Sequence, residues 1–137
     1  YINAGHKVTI ETNASLNLNI DKEYQKELLF SMSVKLSNSL EPIKKRININ
    51  TLNTILNNTK ESYLKFVIGK DFLNDAKKEI NEILSLIPKC DVYLMPLGDT
   101  AEQINKNCED VINMSIENGF KYCDRLHIRV WNNKRGV

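Results

Sequence analysis

The stretch that decides the fold is Tyr63-Leu64-Lys65-Phe66-Val67-Ile68-Gly69-Lys70-Asp71. Its first six residues, rich in aromatic and β-branched side chains, predict a strand. Gly69-Lys70-Asp71 then predicts a turn and an N-cap for a helix over residues 72–86, where apolar residues recur every three or four positions until Pro88. A strand that passes directly into an amphipathic helix is the repeating unit of a parallel sheet.

The same alternation continues on both sides of this unit. Further strands are predicted at residues 7–12, 28–34, 92–95 and 125–131, and further helices at 50–56 and 101–118, with residues 37–45 read as a loop. The chain is therefore expected to be an α/β protein with parallel strands and right-handed connections. Periodicity does not choose between an open doubly wound sheet and part of a β/α barrel, but ligands bind at the carboxyl ends of the strands in both.

Composition narrows the class of protein. A chain of 137 residues with 42% hydrophobic and 26% charged residues suits one globular domain. A net charge of +2, with the basic residues dispersed, predicts no direct nucleic-acid partner, and no apolar run is long enough to predict a membrane partner. The cysteines, Cys90, Cys108 and Cys123, are three and widely spaced, which favours a reducing, cytoplasmic location. We expect them to be small buried apolar residues.

Polar residues gather at the ends of the predicted strands, with Lys65 and His127 lying within theirs. They include a carboxylate, hydroxyls, two lysines and an imidazole, contributed by Glu11, Ser33, Lys35, Lys65 and His127. Each one alone is more typical of a turn or an exposed strand end than of a site. Together they suit the binding of a small polar substrate. Lys65 is central in an apolar strand, so we expect it to have a partner or a place at the mouth of the site.

These residues also resemble a known family, 7-carboxy-7-deazaguanine synthase. The resemblance covers essentially the whole chain and preserves the order of five motifs, which are Ile10-Glu11-Thr12-Asn13, Ser33-Val34-Lys35-Leu36-Ser37, Leu64-Lys65-Phe66-Val67, Leu94-Met95-Pro96 and Leu126-His127 through Trp131 to Val137. The ending is the most specific motif, with Asn132 in place of a usual Gly. Val34 stands where the family usually has Pro.

The resemblance implies a radical S-adenosylmethionine enzyme on a partial β/α barrel. Such an enzyme converts 6-carboxy-5,6,7,8-tetrahydropterin to 7-carboxy-7-deazaguanine with loss of ammonia, a step toward queuosine. The family's three-cysteine motif for a [4Fe–4S] cluster and its Gly-Gly-Glu-Pro loop do not occur in this sequence, and the spacing of its cysteines does not suit one cluster. Residues 1–137 are therefore expected to be a single-domain C-terminal portion, with the cluster and Mg²⁺ ligands upstream of Tyr1, and to be inactive alone.

The resemblance also implies residue roles. Contacts to S-adenosylmethionine are expected from Asn13, Ser15, Ser33 and Lys35. Contacts to the pterin are expected from Glu11, Lys65, His127 and Val137. No catalytic or metal-binding residue is assigned. A flavodoxin-type electron donor is implied, and a homodimer stays open. Two alternatives remain: another radical S-adenosylmethionine enzyme of the activating type, and a non-catalytic α/β binding module.

Overall fold

Five parallel strands form one sheet whose spatial order follows their order in the chain. The computed structural model describes residues 1–134 and 136. The strands are β1 (Thr9–Thr12), β2 (Leu29–Met32), β3 (Tyr63–Ile68), β4 (Val92–Pro96) and β5 (Lys121–Tyr122). The α/β class predicted from the alternating pattern is confirmed.

Helices and short 3₁₀ turns occupy the connections between strands. The helices are α1 (Ile43–Arg46), α2 (Ile49–Asn58), α3 (Leu73–Leu84), α4 (Ala101–Asn118) and α5 (Leu126–Trp131). The 3₁₀ turns are Ile2–Ala4, Glu23–Glu27, Ser37–Ser39 and Lys70–Phe72. Within the described part of the chain, no helix combines the length and apolar character needed to cross a membrane.

The strand order decides what periodicity left open. A doubly wound sheet reverses its direction of growth at a switch point, whereas here every connection moves one strand further in the same direction. Sequential order is the arrangement of a β/α barrel, in which the helices cover one face of the sheet and the other face points inward. The five strands therefore form part of a barrel wall.

Burial along β3 shows the two faces. Leu64, Phe66 and Ile68 are fully buried and belong to one core cluster with residues of α2, α3 and α4. The residues between them, Tyr63, Lys65 and Val67, are partly exposed and border a cavity on the other face. The alternation of the strand thus separates core residues from cavity residues.

Local capping explains where two helices begin. The side chain of Asn48 accepts a hydrogen bond from the Thr51 amide at 3.1 Å and caps α2, two residues before the predicted start of that helix. Thr100 caps α4 in the same way by accepting from the Gln103 amide at 3.2 Å. Gly119, with a φ of 67°, ends α4 where the Asn-Gly pair predicted its end.

The predicted last strand is wrong. Residues 125–131 contain the helix α5, and the fifth strand is the short β5 upstream of it. After β5, the Cys123 amide still donates to the Leu94 carbonyl at 2.9 Å, and the Asp124 carboxylate accepts from the Arg125 amide at 2.7 Å just before the helix begins. The alternating pattern did not mark two faces of a strand, because Leu126 and Val130 are exposed while Ile128 is buried.

Two smaller expectations also need correction. The predicted loop 37–45 contains a 3₁₀ turn and most of α1. The helical periodicity of residues 101–118 predicts Ile116 on the apolar face of α4, but Ile116 is 74% exposed and Met114 is buried instead. Helix periodicity read from sequence is least reliable near the last turn, where one residue of phase error moves a side chain by about 100°.

Candidate functional site

A cavity of about 730 Å³ lies against the inward face of the sheet and the loops at the carboxyl ends of its strands. Five of the sequence-predicted site residues line it, namely Glu11, Ser33, Lys35, Lys65 and His127. They come from β1, from the segment after β2, from β3 and from α5. The sheet thus brings together side chains that are up to 116 residues apart in sequence, from 11 to 127.

A carboxylate–ammonium pair spans the floor of this cavity. Lys65 Nζ lies 3.3 Å from Glu11 Oε1, and the Lys65 side chain is only 14% exposed, which confirms that this lysine has a partner. The two residues stand on β1 and β3, so the pair crosses over β2. Ser31 of β2 is in register with Glu11 and is fully buried.

The Glu11 carboxylate is still accessible to a ligand, because its side chain is 77% exposed. An ionised carboxylate accepts two parallel N–H donors well, as in the edge of a guanidine-like group. Lys65 compensates its charge from one side without covering it. The pair therefore offers a charged acceptor at the cavity.

The segment after β2 is anchored in the core by alternate residues. Val34 and Leu36 are 3% and 2% exposed, whereas Lys35 between them is exposed and lines the cavity. The Ser33 amide donates to the Thr12 carbonyl at 2.7 Å, which extends the β1–β2 ladder to the cavity edge. Burial of Val34 and Leu36 thus places Lys35 between them on the cavity side of this segment.

Asn13 and Ser15 lie apart from the other predicted cofactor residues. The Asn13 side chain accepts from the Ser15 amide at 3.1 Å and from the Ser15 hydroxyl at 2.9 Å, which closes a turn after β1. Neither residue lines the cavity that holds Ser33 and Lys35. Their contact to a cofactor stays a prediction. Val137, predicted to contact the substrate, lies outside the described residues.

Sequence reasoning missed several residues of the cavity. Arg125 lines it and donates from Nη1 to the Gly98 carbonyl at 2.6 Å. Tyr63 and Tyr93 form a tilted aromatic pair there, with ring centroids 4.6 Å apart. The signal for the tyrosines existed, because Tyr63 alternates with buried residues on the same strand as Lys65. Arg125 was hidden by the wrong assignment of its segment to a strand.

The cysteines do not form a metal site. Cys90 precedes β4, Cys108 lies within α4 and Cys123 follows β5. All three are partly exposed, which corrects the expectation that they are buried, and desolvation raises the pKa of the Cys90 thiol. In residues 1–134 and 136, no three metal-ligating side chains of His, Cys, Asp or Glu come together. The three cysteines therefore do not fit an iron–sulfur cluster. The hydroxyl of Ser33 and the ammonium of Lys35, by contrast, suit the polar groups of S-adenosylmethionine.

Comparison with known proteins gives one consistent result. A protein of Rhodopirellula baltica named 7-carboxy-7-deazaguanine synthase is 31% identical over 98% of this chain and 54% of its own length. Proteins of the same name from Halobacterium salinarum and Clostridium acetobutylicum are 26% and 30% identical, over 93% and 96% of this chain and 55% and 57% of theirs. No family model matches, and no solved structure matches. The predicted resemblance is confirmed, and the chain spans about half the length of these relatives.

Proposed function

We propose that this chain supplies the C-terminal portion of a 7-carboxy-7-deazaguanine synthase, the enzyme named in the relatives that it resembles along almost its whole length. The reaction proposed is the conversion of 6-carboxy-5,6,7,8-tetrahydropterin to 7-carboxy-7-deazaguanine with release of ammonia. The observation that carries the proposal is the Glu11–Lys65 pair at the cavity, because it places a charged acceptor for a guanidine-like edge at the carboxyl ends of parallel strands.

Each cavity residue has a role in this proposal. Glu11 accepts hydrogen bonds from the amino and ring N–H groups of the pterin, and Lys65 holds that carboxylate in place. His127 faces the substrate from α5. Ser33 and Lys35 bind the polar groups of S-adenosylmethionine, which when bound supplies the radical chemistry of the family. The residues of this chain bind and orient, and no chemical step is assigned to them.

The proposal does not extend to the cluster. A [4Fe–4S] cluster does not fit the cysteines of this chain, as their separate positions show. Its ligands and those of Mg²⁺ are therefore sought in other residues of the full-length protein. Electron delivery by a flavodoxin-type donor, a place in queuosine biosynthesis and a cytoplasmic location belong to the same proposal.

The test is the substitution Glu11→Gln in the full-length protein. We expect the affinity for the pterin to fall about tenfold or more, because hydrogen bonds to a charged group contribute about 1.5–3 kcal/mol. Pterin binding and product formation are measured side by side. Glu27→Gln is the matched control, since Glu27 also pairs with a lysine, Lys60 at 2.6 Å, but lies outside the cavity. Unchanged pterin affinity and turnover in Glu11→Gln would refute the assigned role.

A further inference from the structure

The turn that follows β2 forms one wall of the cavity. Lys35, Asn38 and Ser39 of this turn line the cavity, and Asn38 Nδ2 donates to the Val67 carbonyl of β3 at 3.1 Å. Ser37 is part of the same turn but does not line the cavity. Asn38 thus joins the turn to the sheet. Ser37 makes its hydrogen bonds outside the cavity, with a different element.

Ser37 is held from the helix layer by Glu79 of α3. The Glu79 carboxylate accepts from the Ser37 amide at 3.0 Å and also from the Ser37 hydroxyl. It accepts in addition from Arg46 Nη1 at 2.8 Å, and Arg46 Nε donates to the Glu41 carbonyl at 3.0 Å. Glu79 therefore contacts both ends of the segment 37–46, although it lies outside the cavity.

The ion pair between Arg46 and Glu79 is largely buried. Arg46 is 9% exposed, so its charge depends on Glu79 for compensation. Burial opposes ionisation of Glu79, but the hydrogen bonds from Ser37 and Arg46 outweigh it and hold the pKa of this carboxyl below its ordinary value. A charge-assisted network of this kind has one well-defined arrangement, because each alternative leaves a sheltered charge without a partner.

We propose that Glu79 is a positioning residue for ligand binding, which acts through Ser37 to fix the turn that carries Lys35 and Asn38 at the cavity. The inference rests on the proposed function, in which Lys35 contacts S-adenosylmethionine. Ser37 is the neighbour of Asn38 and two residues from Lys35, so loosening at Ser37 adds to the freedom of the side chains that line the cavity. Binding then has to order the turn again, which weakens affinity.

The experiment compares Ser37→Ala and Glu79→Gln in the full-length enzyme. Ser37→Ala removes one hydroxyl and leaves the Arg46–Glu79 pair intact, so it keeps the test decisive if Glu79→Gln folds poorly. We expect the KM for S-adenosylmethionine to rise about three- to tenfold in Ser37→Ala, and more in Glu79→Gln. The KM for the pterin and kcat stay near wild type. A purely structural role would instead lower the active fraction, so kcat would fall with both KM values unchanged, and that result overturns the proposal.

Hydrogen exchange gives a readout that needs no turnover. Backbone amides of residues 37–39 should exchange faster in both variants than in the wild type. Glu82→Gln, the same chemical change at an exposed position of α3, should leave exchange and both KM values unchanged. Wild-type exchange in Ser37→Ala overturns the positioning role. If the wild-type enzyme neither binds S-adenosylmethionine nor turns over, the proposed function fails, and so does the ligand role inferred here, even where exchange at 37–39 responds.

Discussion

A single methyl group added at Gly98 should reveal how tightly the turn between β4 and α4 is packed. A Cβ at this position would lie 2.8 Å from Gln103 Cβ and 2.9 Å from the Ile104 backbone nitrogen. The Ile104 nitrogen belongs to the first turns of α4 and cannot rotate away as a side chain can. Because the Gly98 carbonyl also accepts from Arg125, a shift of this turn is transmitted to the cavity.

The size of the effect follows from these distances. Relief of a contact this short against backbone requires a shift of several tenths of an ångström in α4, and overpacking of this kind costs about 1–3 kcal/mol. Gly69, after β3, is the matched control, because a Cβ there meets its nearest atom, Leu97 Cδ2, at 3.5 Å. Its φ of −105° is open to alanine, so Gly69→Ala should stabilise by about 0.4–1 kcal/mol through the unfolded state.

The assay is urea unfolding of both variants beside the wild type, followed by far-UV circular dichroism. The two variants should differ in free energy of unfolding by about 1.4–4 kcal/mol. In thermal unfolding, each kcal/mol corresponds to roughly 4 °C for a domain of this size. A Gly98→Ala protein as stable as the wild type would show that α4 yields to the added methyl group, and the packing argument would fall.

Four further outcomes follow from the core, the charges, a thiol and the end of the last helix. Phe66→Ala should lower the free energy of unfolding by about 3–5 kcal/mol in urea titration, because the ring is fully buried; a loss below 1 kcal/mol would contradict its place in the core. The lowered pKa of Glu79 contributes stability that is present above its ordinary value of 4.5 and lost as the pH falls through the lower folded value, so the stabilities of wild type and Glu79→Gln should differ most near pH 7 and converge only as the pH falls below 4.5; parallel pH profiles would contradict this. The raised pKa of the half-buried Cys90 thiol should make its alkylation by iodoacetamide at pH 8 slower than that of a small thiol, with peptide mass mapping as the measurement; an equal rate would contradict it. Asn132→Ala should destabilise by about 1 kcal/mol, because it loses the 2.7 Å bond from the Ala101 amide and keeps a φ of 52°, whereas Asn132→Gly should relieve that strain and lose less; the reverse order in urea unfolding would contradict the argument.

Much of the fold can be predicted from the sequence because most of its elements depend on patterns within short segments. The strand at 63–68, the turn at Gly69, the helix that follows and the end of α4 at Gly119 each depend on patterns within a few neighbouring residues. The segment 125–131 was misread for the same reason. Six or seven residues with alternating apolar side chains satisfy a strand pattern and also nearly two turns of helix, so the local pattern does not distinguish the two.

The site was predictable in its residue types and less so in its geometry. The family's motifs point to Glu11, Lys65 and His127, and all three line the cavity, although His127 lies on a helix rather than on the predicted strand. The pairing of Glu11 with Lys65 joins residues 54 positions apart, and no local pattern specifies such a contact. Glu79 gave no signal at all, since a glutamate on an amphipathic helix is usually a solvated residue.

The sequence alone therefore determined the class of the protein, the bounds of its longest elements and the family that it resembles, because local periodicity, capping and motif order are properties of neighbouring residues. Only the tertiary structure decided that the sheet is singly wound, that one face of β3 lines a cavity, and that Ser37 and Arg46 meet on Glu79. These facts depend on which strands pair and on which residues bury each charged side chain. Both are determined only when segments distant in sequence pack together.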